Sequence, residues 1–275
     1  MKSVLITGAS SGIGKHMSGV LARRGWVVWA GCRDEGAHGE LRKVHANVRP
    51  LIIDVTDSSS IDRARKAVER SRVPLNAVVN NAGIGLGGPL EVLDVNEIQK
   101  VYDVNVLGYI RIIQVFLPHL RQTAGRIVNM SSLAGLIGIP FAIPYSSSKF
   151  AVEGMSDGLR RELSRQHISV SLIEPGPIDT AIWEKSLRRS FGGGAHASPL
   201  LKLYTPRAGS FEDLMRRVQK HALPVVRVEG AVVHALESPR PKIRYTVSRR
   251  AALTRLFLRM LPERTVDFLV CRYLT

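Results

Sequence analysis

Val4-Leu5-Ile6-Thr7-Gly8-Ala9-Ser10-Ser11-Gly12-Ile13-Gly14 is the stretch that decides the fold. Val4 to Thr7 is a short apolar run, as a strand buried on both faces requires. The glycine-rich turn follows at once. A helical pattern then runs through Met17, Val20 and Leu21 to Arg24, and Gly25 is its stop signal. Strand, glycine turn and helix in this order form the start of a dinucleotide-binding unit. Glycines let the backbone approach a pyrophosphate, and the helix N-terminus offers free N–H groups at a positive dipole end. The spacing is G-x-x-x-G-x-G rather than G-x-G-x-x-G. An ordinary tight turn is the competing reading, and the placement between strand and helix weighs against it.

The pattern repeats outward from this unit. Trp26-Val27-Val28-Trp29-Ala30 reads as a second strand. Val48 to Ile53 is a third, ending in Asp54-Val55-Thr56, and a helix through Ile61, Ala64, Ala67 and Val68 follows it. Asn76 to Asn80 is a fourth, running into Asn80-Asn81-Ala82-Gly83. A strand ending in two Asn and a Gly is costly unless the amides bond something local. A long helix is expected from Val95 to about Leu120, with the polar Asn105 among Val101, Val104, Val106 and Ile110; a satisfied core amide is the plain alternative there. Arg126 to Met130 is a fifth strand, ending at Ser131-Ser132. Ile168 to Ile173 is a sixth, leading into Glu174-Pro175-Gly176-Pro177-Ile178-Asp179-Thr180, and Lys242 to Val247 reads as a seventh.

Alternating β and α segments with short links imply an α/β fold. It is a single Rossmann-type, doubly wound parallel sheet of about seven strands, with helices on both faces and a helical C-terminal lid and extension. One domain is expected over 1–275. Ligands in such sheets bind at the carboxyl ends of the strands. Gly8–Gly14, Arg33, Asp54, Asn80–Gly83, Ser132 and Pro175–Thr180 all follow strand ends.

The end of the second strand bears on the cofactor. An acid there would accept hydrogen bonds from a ribose 2′-OH, and an Arg would pair with a 2′-phosphate. Gly31-Cys32-Arg33 offers the Arg and no acid before it. NADP(H) is therefore the preferred cofactor and NAD(H) the second choice. Asp34 and Glu35 stand next in line to tie up the guanidinium, and a solvated surface Arg is the alternative.

Apolar residues make up 45% of the 275 and charged residues 23%, ordinary values for a folded domain. The first strand begins so near Met1 that no signal peptide is expected. Cys32 and Cys271 stand far apart in no metal-ligand spacing, which suits a reduced cytoplasmic compartment; no metal is expected. The net charge of +16 is uneven. Residues 1–183 hold 21 basic and 16 acidic side chains, a net of +5, and residues 184–275 hold 18 and 7, a net of +11. Such a surface attracts anions or simply solubilises the chain. No nucleic-acid motif accompanies it, so nucleic acid is not an expected partner.

Tyr145-Ser146-Ser147-Ser148-Lys149 carries the chemistry. Four residues place the phenol and the ammonium one helical turn apart on one face. Free Tyr ionises near ~10, and a neighbouring positive charge favours the phenolate. That makes Tyr145 a candidate proton donor and acceptor near neutral pH.

Taken together, Thr7-Gly8-Ala9-Ser10-Ser11-Gly12-Ile13-Gly14, Asp54-Val55, Asn80-Asn81-Ala82-Gly83, Asn105, Ser132, Tyr145-x-x-x-Lys149 and Pro175-Gly176 resemble the short-chain dehydrogenase/reductase family in order and separation. The resemblance covers roughly residues 3–250. Local phrasing is similar to the branch of 17β-hydroxysteroid and retinol dehydrogenases. The spacing of 13 residues to Tyr145 selects Ser132 over Ser131.

The resemblance implies roles. Tyr145 is the acid/base, Lys149 lowers its pKa and bonds the nicotinamide ribose, and Ser132 holds the substrate oxygen. Asn105 supports a water linking Lys149 to solvent. Gly8, Ser10, Ser11, Gly12, Ile13 and Gly14 line the cofactor phosphates and ribose. Asp54 and Val55 sit at the adenine, and Asn81, Ala82 and Gly83 at the adenosine ribose and cofactor core. Pro175, Gly176, Ile178 and Thr180 border the nicotinamide. Ser11 departs from many NADP-dependent members, which carry a basic residue there, so only Arg33 speaks for NADP. A homodimer or homotetramer is implied, pairing the helices of Asn105 and Lys149. An alternative is a redox-sensing or scaffold protein that binds the dinucleotide without turnover; the intact Ser132, Tyr145 and Lys149 argue against it.

Beyond Thr180 the pattern loosens, and a substrate lid is expected at about 180–225, with a helix through Phe211, Leu214, Met215 and Val218. Ile84, Leu86, Ile139, Phe141, Ile182, Trp183 and Leu203 are candidate walls of a pocket for a lipophilic alcohol or ketone, unless they only pack the lid and core. His196 and His221 read as surface residues. Two basic amphipathic helices are expected over 249–275, broken at Pro262. Packing on the domain body or on a partner subunit ranks above lying on an anionic membrane.

Overall fold

The structure is a computed structural model, and it describes residues 1–182, 186, 200–204, 219, 220, 222–248, 253, 257 and 260–274. Seven parallel strands form one sheet: β1 Ser3–Ile6, β2 Val27–Cys32, β3 Val48–Ile52, β4 Leu75–Asn80, β5 Arg126–Met130, β6 Ser169–Pro175 and β7 Arg244–Val247. Their order is β3-β2-β1-β4-β5-β6-β7. The chain direction across the sheet reverses between β1 and β4, and that gap is the crevice where such sheets bind ligands.

Helices cover both faces: α1 Gly12–Arg23, α2 Glu35–Arg42, α3 Ser58–Arg70, α4 Val95–Tyr102, α5 Gly108–Gln122 and α6 Ile143–Glu162, followed by the helix Val226–Glu237. Strand alternation splits the core. Val4 and Ile6 pack toward Met17, Leu21, Val228 and Val232. Leu5 points the other way, to the side of Ile61, Ile112 and Phe116. Every residue of β1 and β2 is buried, which is why both read as unbroken apolar runs rather than alternating ones.

Several features differ from the sequence reading. Strand β2 runs on to Cys32, so Arg33 is the first residue beyond it. Strand β6 reaches Pro175, which pairs with Val247; the proline thus ends a strand rather than opening a turn. The long helix around Asn105 is not uniform. Between α4 and α5 the segment Asp103–Leu107 widens into a π-helical turn, a local break that apolar periodicity does not register. The helix Val226–Glu237 has no counterpart in the sequence reading; it carries Val228, Val232 and Leu236 into the first core. The expected lid helix through Phe211 to Val218 and most of 249–259 lie outside the described residues. The C-terminal helix Glu263–Leu274 is present.

Candidate active site

The glycine turn is locked to the end of β4. Thr7 Oγ1 accepts from the backbone N–H of Asn81 (3.0 Å) and Ala82 (3.1 Å). In return Asn81 Nδ2 donates to the carbonyls of Thr7 (2.9 Å) and Gly8 (3.1 Å). Asn80 Nδ2 donates to Asn129 Oδ1 at 2.9 Å, so each amide of the Asn pair that looked costly in sequence has a local partner. Gly8 has φ +65°, and a Cβ there would stand 2.7 Å from Ala82 Cα. A Cβ on Gly14 would collide with the Gly8 carbonyl and stand 2.7 Å from Asn81 Nδ2. Thr180 arrives from beyond β6, its Cγ2 3.0 Å from where a Gly12 Cβ would be.

Helix α1 begins here without a side-chain cap, and no acidic residue stands in its first turn. Its leading N–H groups and dipole are left for an anion. The residues therefore fit a dinucleotide pyrophosphate.

Arg33 is exposed at the end of β2 and, among the described residues, forms no ion pair. The expected competitors are otherwise engaged. Asp34 caps α2, its Oδ1 accepting from Ala37 N at 2.7 Å, and Glu35 lies 3.9 Å from His38. The Cys32 thiol beside it is pushed up to about 11, chiefly by burial, and is not a reactive group. Asp54 Oδ1 accepts from Thr56 N and Oγ1 at 2.9 and 2.7 Å. Val55 is buried against Gly108, and Ile178 lies within the first core.

The other half of the site forms where α6 packs on the end of β5. Lys149 is 4% exposed and its Nζ donates to the Met130 carbonyl at 2.8 Å. It lies 5.8 Å from the Tyr145 ring centroid and 5.5 Å from that of Tyr109. Tyr109, on α5, donates to the same carbonyl at 3.2 Å; the sequence reading did not single it out. Gly83 closes the group, since a Cβ there would stand 3.5 Å from Asn105 Oδ1 and 3.9 Å from Lys149 Nζ.

The Ser132 hydroxyl lies beside the Tyr145 phenol and accepts from Ala134 N at 3.1 Å. Ser131 turns inward and is buried, so the hydroxyl selected by spacing is the one that meets the phenol. Burial pushes the Tyr145 pKa up, opposed by the Ser132 hydroxyl. Lys149 is itself pushed down to about 8 by burial, with Glu153 acting against the shift. Its ammonium is directed at the Met130 carbonyl rather than at the phenol oxygen.

Asn105 is fully buried in the π-helical turn. Its Oδ1 accepts from Ile84 N (2.9 Å), and its Nδ2 donates to Ile84 O (2.9 Å) and Ser148 Oγ (3.0 Å). Both amide hydrogens are spent, so the side chain does not donate to the expected water.

On the substrate side, Phe141 holds φ +61° and meets Tyr204 edge-on at 6.1 Å. Ile139 N donates to Ser146 Oγ at 3.2 Å, which sets the loop on the start of α6. Leu203 is 75% exposed. Trp183 lies outside the described residues. Ser186 stands over Gly85, beside Tyr145, and nothing in its local sequence announces it.

Similarity to known proteins agrees with this geometry. The pattern of short chain dehydrogenases matches residues 2–190. The chain is 31% identical to an NADPH-dependent 3-dehydrocapnine reductase of Ornithobacterium rhinotracheale, covering 97% of this chain and 95% of that one. It is 36% identical to 17-beta-hydroxysteroid dehydrogenase type 1 of Mus musculus, covering 96% and 77%. A solved short chain dehydrogenase/reductase from Burkholderia phymatum, in complex with NAD, superposes with a TM-score of 0.80 at 26% identity, covering 93% and 92%. The chain belongs to the short-chain dehydrogenase/reductase family.

Proposed function

We propose that the protein is an NADP(H)-dependent oxidoreductase that interconverts a carbonyl and an alcohol on a lipophilic substrate. The observation that carries this is the meeting of Ser132, Tyr145 and Lys149 beside an uncapped, glycine-lined helix start. When bound, the nicotinamide supplies or accepts the hydride. The chain does the rest. Ser132 and Tyr145 hold the substrate oxygen between two hydroxyls, and Tyr145 gives or takes the proton at its phenol oxygen. Lys149, as an ammonium in a buried setting, favours negative charge on that oxygen when the proton leaves. Arg33, which forms no ion pair among the described residues, supports a 2′-phosphate, and one relative is named for NADPH. A lipophilic substrate is supported by Leu86, Ile139 and Phe141, and by a relative named for a hydroxysteroid.

The test is a panel of steroid, retinoid and long-chain ketones with NADPH and NADH, followed at 340 nm. NADPH consumption on apolar ketones is expected. Tight cofactor binding with no consumption across the panel would overturn turnover in favour of a dinucleotide-binding protein without catalysis.

The same proposal extends to assembly. Leu107, Ile143 and Phe150 are exposed at 45, 43 and 46% on neighbouring helices, the pattern of a surface covered by a second copy. A homodimer or homotetramer is expected on light scattering. Phe257, Met260, Phe268 and Leu269 are likewise exposed among basic residues, which supports a peripheral contact with anionic lipid. No helix among the described residues is long and apolar enough to cross a membrane.

A further inference from the structure

Helix α6 carries one more buried charge than the chemistry above uses. Tyr145, Lys149 and Glu153 follow one another at four-residue steps, so all three lie on one face. Three successive residues, the last of β5 and the two beyond it, meet them. Ser132 takes Tyr145, Met130 takes Lys149, and Ser131 faces Glu153. Glu153 is 7% exposed. Its Oε1 and Ser131 Oγ are both buried and both short of a direct hydrogen bond; burial pushes the carboxyl pKa up, and Ser131 and Arg244 oppose that shift in favour of the carboxylate.

The other carboxylate oxygen is clamped. Glu153 Oε2 accepts from Arg244 Nε at 3.0 Å. The Arg244 guanidinium also donates to Asp157 Oδ2 at 2.8 Å and lies 3.3 Å from Glu174 Oε1. Glu174 Oε2 in turn accepts from Thr246 at 2.7 Å. One arginine of β7 thus ties α6 to the end of β6, the strand that delivers Pro175 and Gly176.

Burying this many charges costs stability unless each is paired. A hydrophobic cluster would hold α6 on the sheet as well. What the hydrophobic cluster would not supply is a negative charge one turn from Lys149. The groups that face Lys149 are Tyr145 and Glu153 on α6, Tyr109 on α5, the Met130 carbonyl on β5 and the Asn105 amide. Glu153 is the one anion among them. The groups that face Glu153 are Lys149, Ser131, Arg244 and Glu174.

We propose that Glu153, clamped by Arg244, is a positioning residue: it is the counter-charge that keeps Lys149 an ammonium in its buried seat. The proposal rests on the reading of Lys149 given above, and it extends that reading to a residue that touches neither substrate nor cofactor. Its consequence has a definite sign. Burial alone drives the ammonium toward neutrality, and removing the carboxylate charge drives it further. The ammonium would then be lost at a lower pH, and the alkaline limb of kcat with it.

The experiment is an NMR titration of the lysine ¹³Cε resonances on the full chain without substrate, with Lys149 assigned by its loss in Lys149→Met. In Glu153→Gln the Lys149 midpoint should fall by about 1 pH unit, the effect of removing one nearby opposite charge. In Asp157→Asn, which breaks the same clamp one turn further on, it should stay within about 0.3 pH unit. Equal midpoints in Glu153→Gln and wild type, or equal shifts in both variants, overturn the proposal. Should Glu153→Gln not fold, the wild type decides: the Lys149 resonance must also respond at the pH where the Glu153 ¹³Cδ resonance titrates, and silence there overturns it. The kcat–pH profile is the second readout, with its alkaline limb displaced to lower pH in Glu153→Gln. A shifted Lys149 titration in a protein that turns over nothing would sink the proposed activity and leave the charge relationship standing.

Discussion

Lys149 Nζ and the Met130 carbonyl oxygen lie 2.8 Å apart, joining α6 to the last residue of β5. Tyr109 donates to the same oxygen at 3.2 Å. The ammonium is thereby aimed at the sheet rather than at the phenol beside it. Much of what the site is expected to do follows from this anchoring.

Tyr145→Phe removes the hydroxyl that the proposed mechanism uses, with Ser132, at the substrate oxygen. A fall in kcat of about 10²–10⁴-fold is expected, the range for a lost general acid/base. NADPH binding, read by fluorescence titration, should stay within a few fold. Substantial retained turnover would sink the role assigned to the phenol.

Arg33→Ala should weaken NADPH binding by about 10–100-fold, the size of a charge-assisted hydrogen bond to phosphate. NADH binding should hardly change, because Arg33 has no described ion pair whose loss would disturb the fold. Isothermal titration with the two cofactors separates the cases, and equal losses would remove Arg33 from a 2′-phosphate site.

Gly14→Ala tests the cradle. The added methyl meets the Gly8 carbonyl and Asn81 Nδ2, the latter at 2.7 Å. Backbone must move, at about 1–3 kcal/mol, and the Asn81 bonds to Thr7 and Gly8 must stretch. Chemical denaturation should show the loss, and cofactor affinity should fall with it. Gly25→Ala, where φ is +85° but nothing lies within 4 Å, should cost stability and spare cofactor binding.

The depressed pKa of Lys149 also predicts a pH dependence of stability. The unfolded lysine titrates near its ordinary 10.5 and the folded one near 8. Between these values the unfolded state binds more protons, so unfolding free energy should rise with pH across that window. Above about 10 the raised pKa of the buried Tyr109 and Tyr145 works in the opposite sense. Lys149→Met should flatten the rise between pH 8 and 10, and urea melts across that range measure it.

Much of the fold was legible because parallel strands buried on both faces announce themselves. Val4–Ile6, Val27–Ala30 and Ile127–Met130 carry apolar runs that only a covered sheet accommodates. The order of stations along the strand ends, from Gly8 to Thr180, is what pointed to one edge of the sheet as the candidate site. What failed to show was of two kinds. Backbone irregularities such as the π-helical turn at Asp103–Leu107 leave apolar periodicity nearly intact. Partners chosen by tertiary packing, such as Tyr109 on Met130 O, Ser186 over Gly85 and Arg244 on Glu153, have no local signature. The Asn105 side chain shows the limit well: its burial was readable, but not that Ile84 and Ser148 would consume both amide hydrogens.

Strand β1 stands between β2 and β4, and Thr7 is bonded to Asn81 and Ala82, 74 and 75 residues further along the chain. Synthesis runs from one end, so the first strand made must wait for the fourth. At about 5–20 residues per second that wait is roughly 4–15 s. During it, Val4, Leu5 and Ile6 have only half of their eventual neighbours, and the glycine turn has no fixed shape. The cofactor cradle is therefore among the earliest sequences to emerge and among the later structures to form. A nascent chain stalled before residue 80 would offer chaperones an open apolar strand edge and offer the dinucleotide nothing.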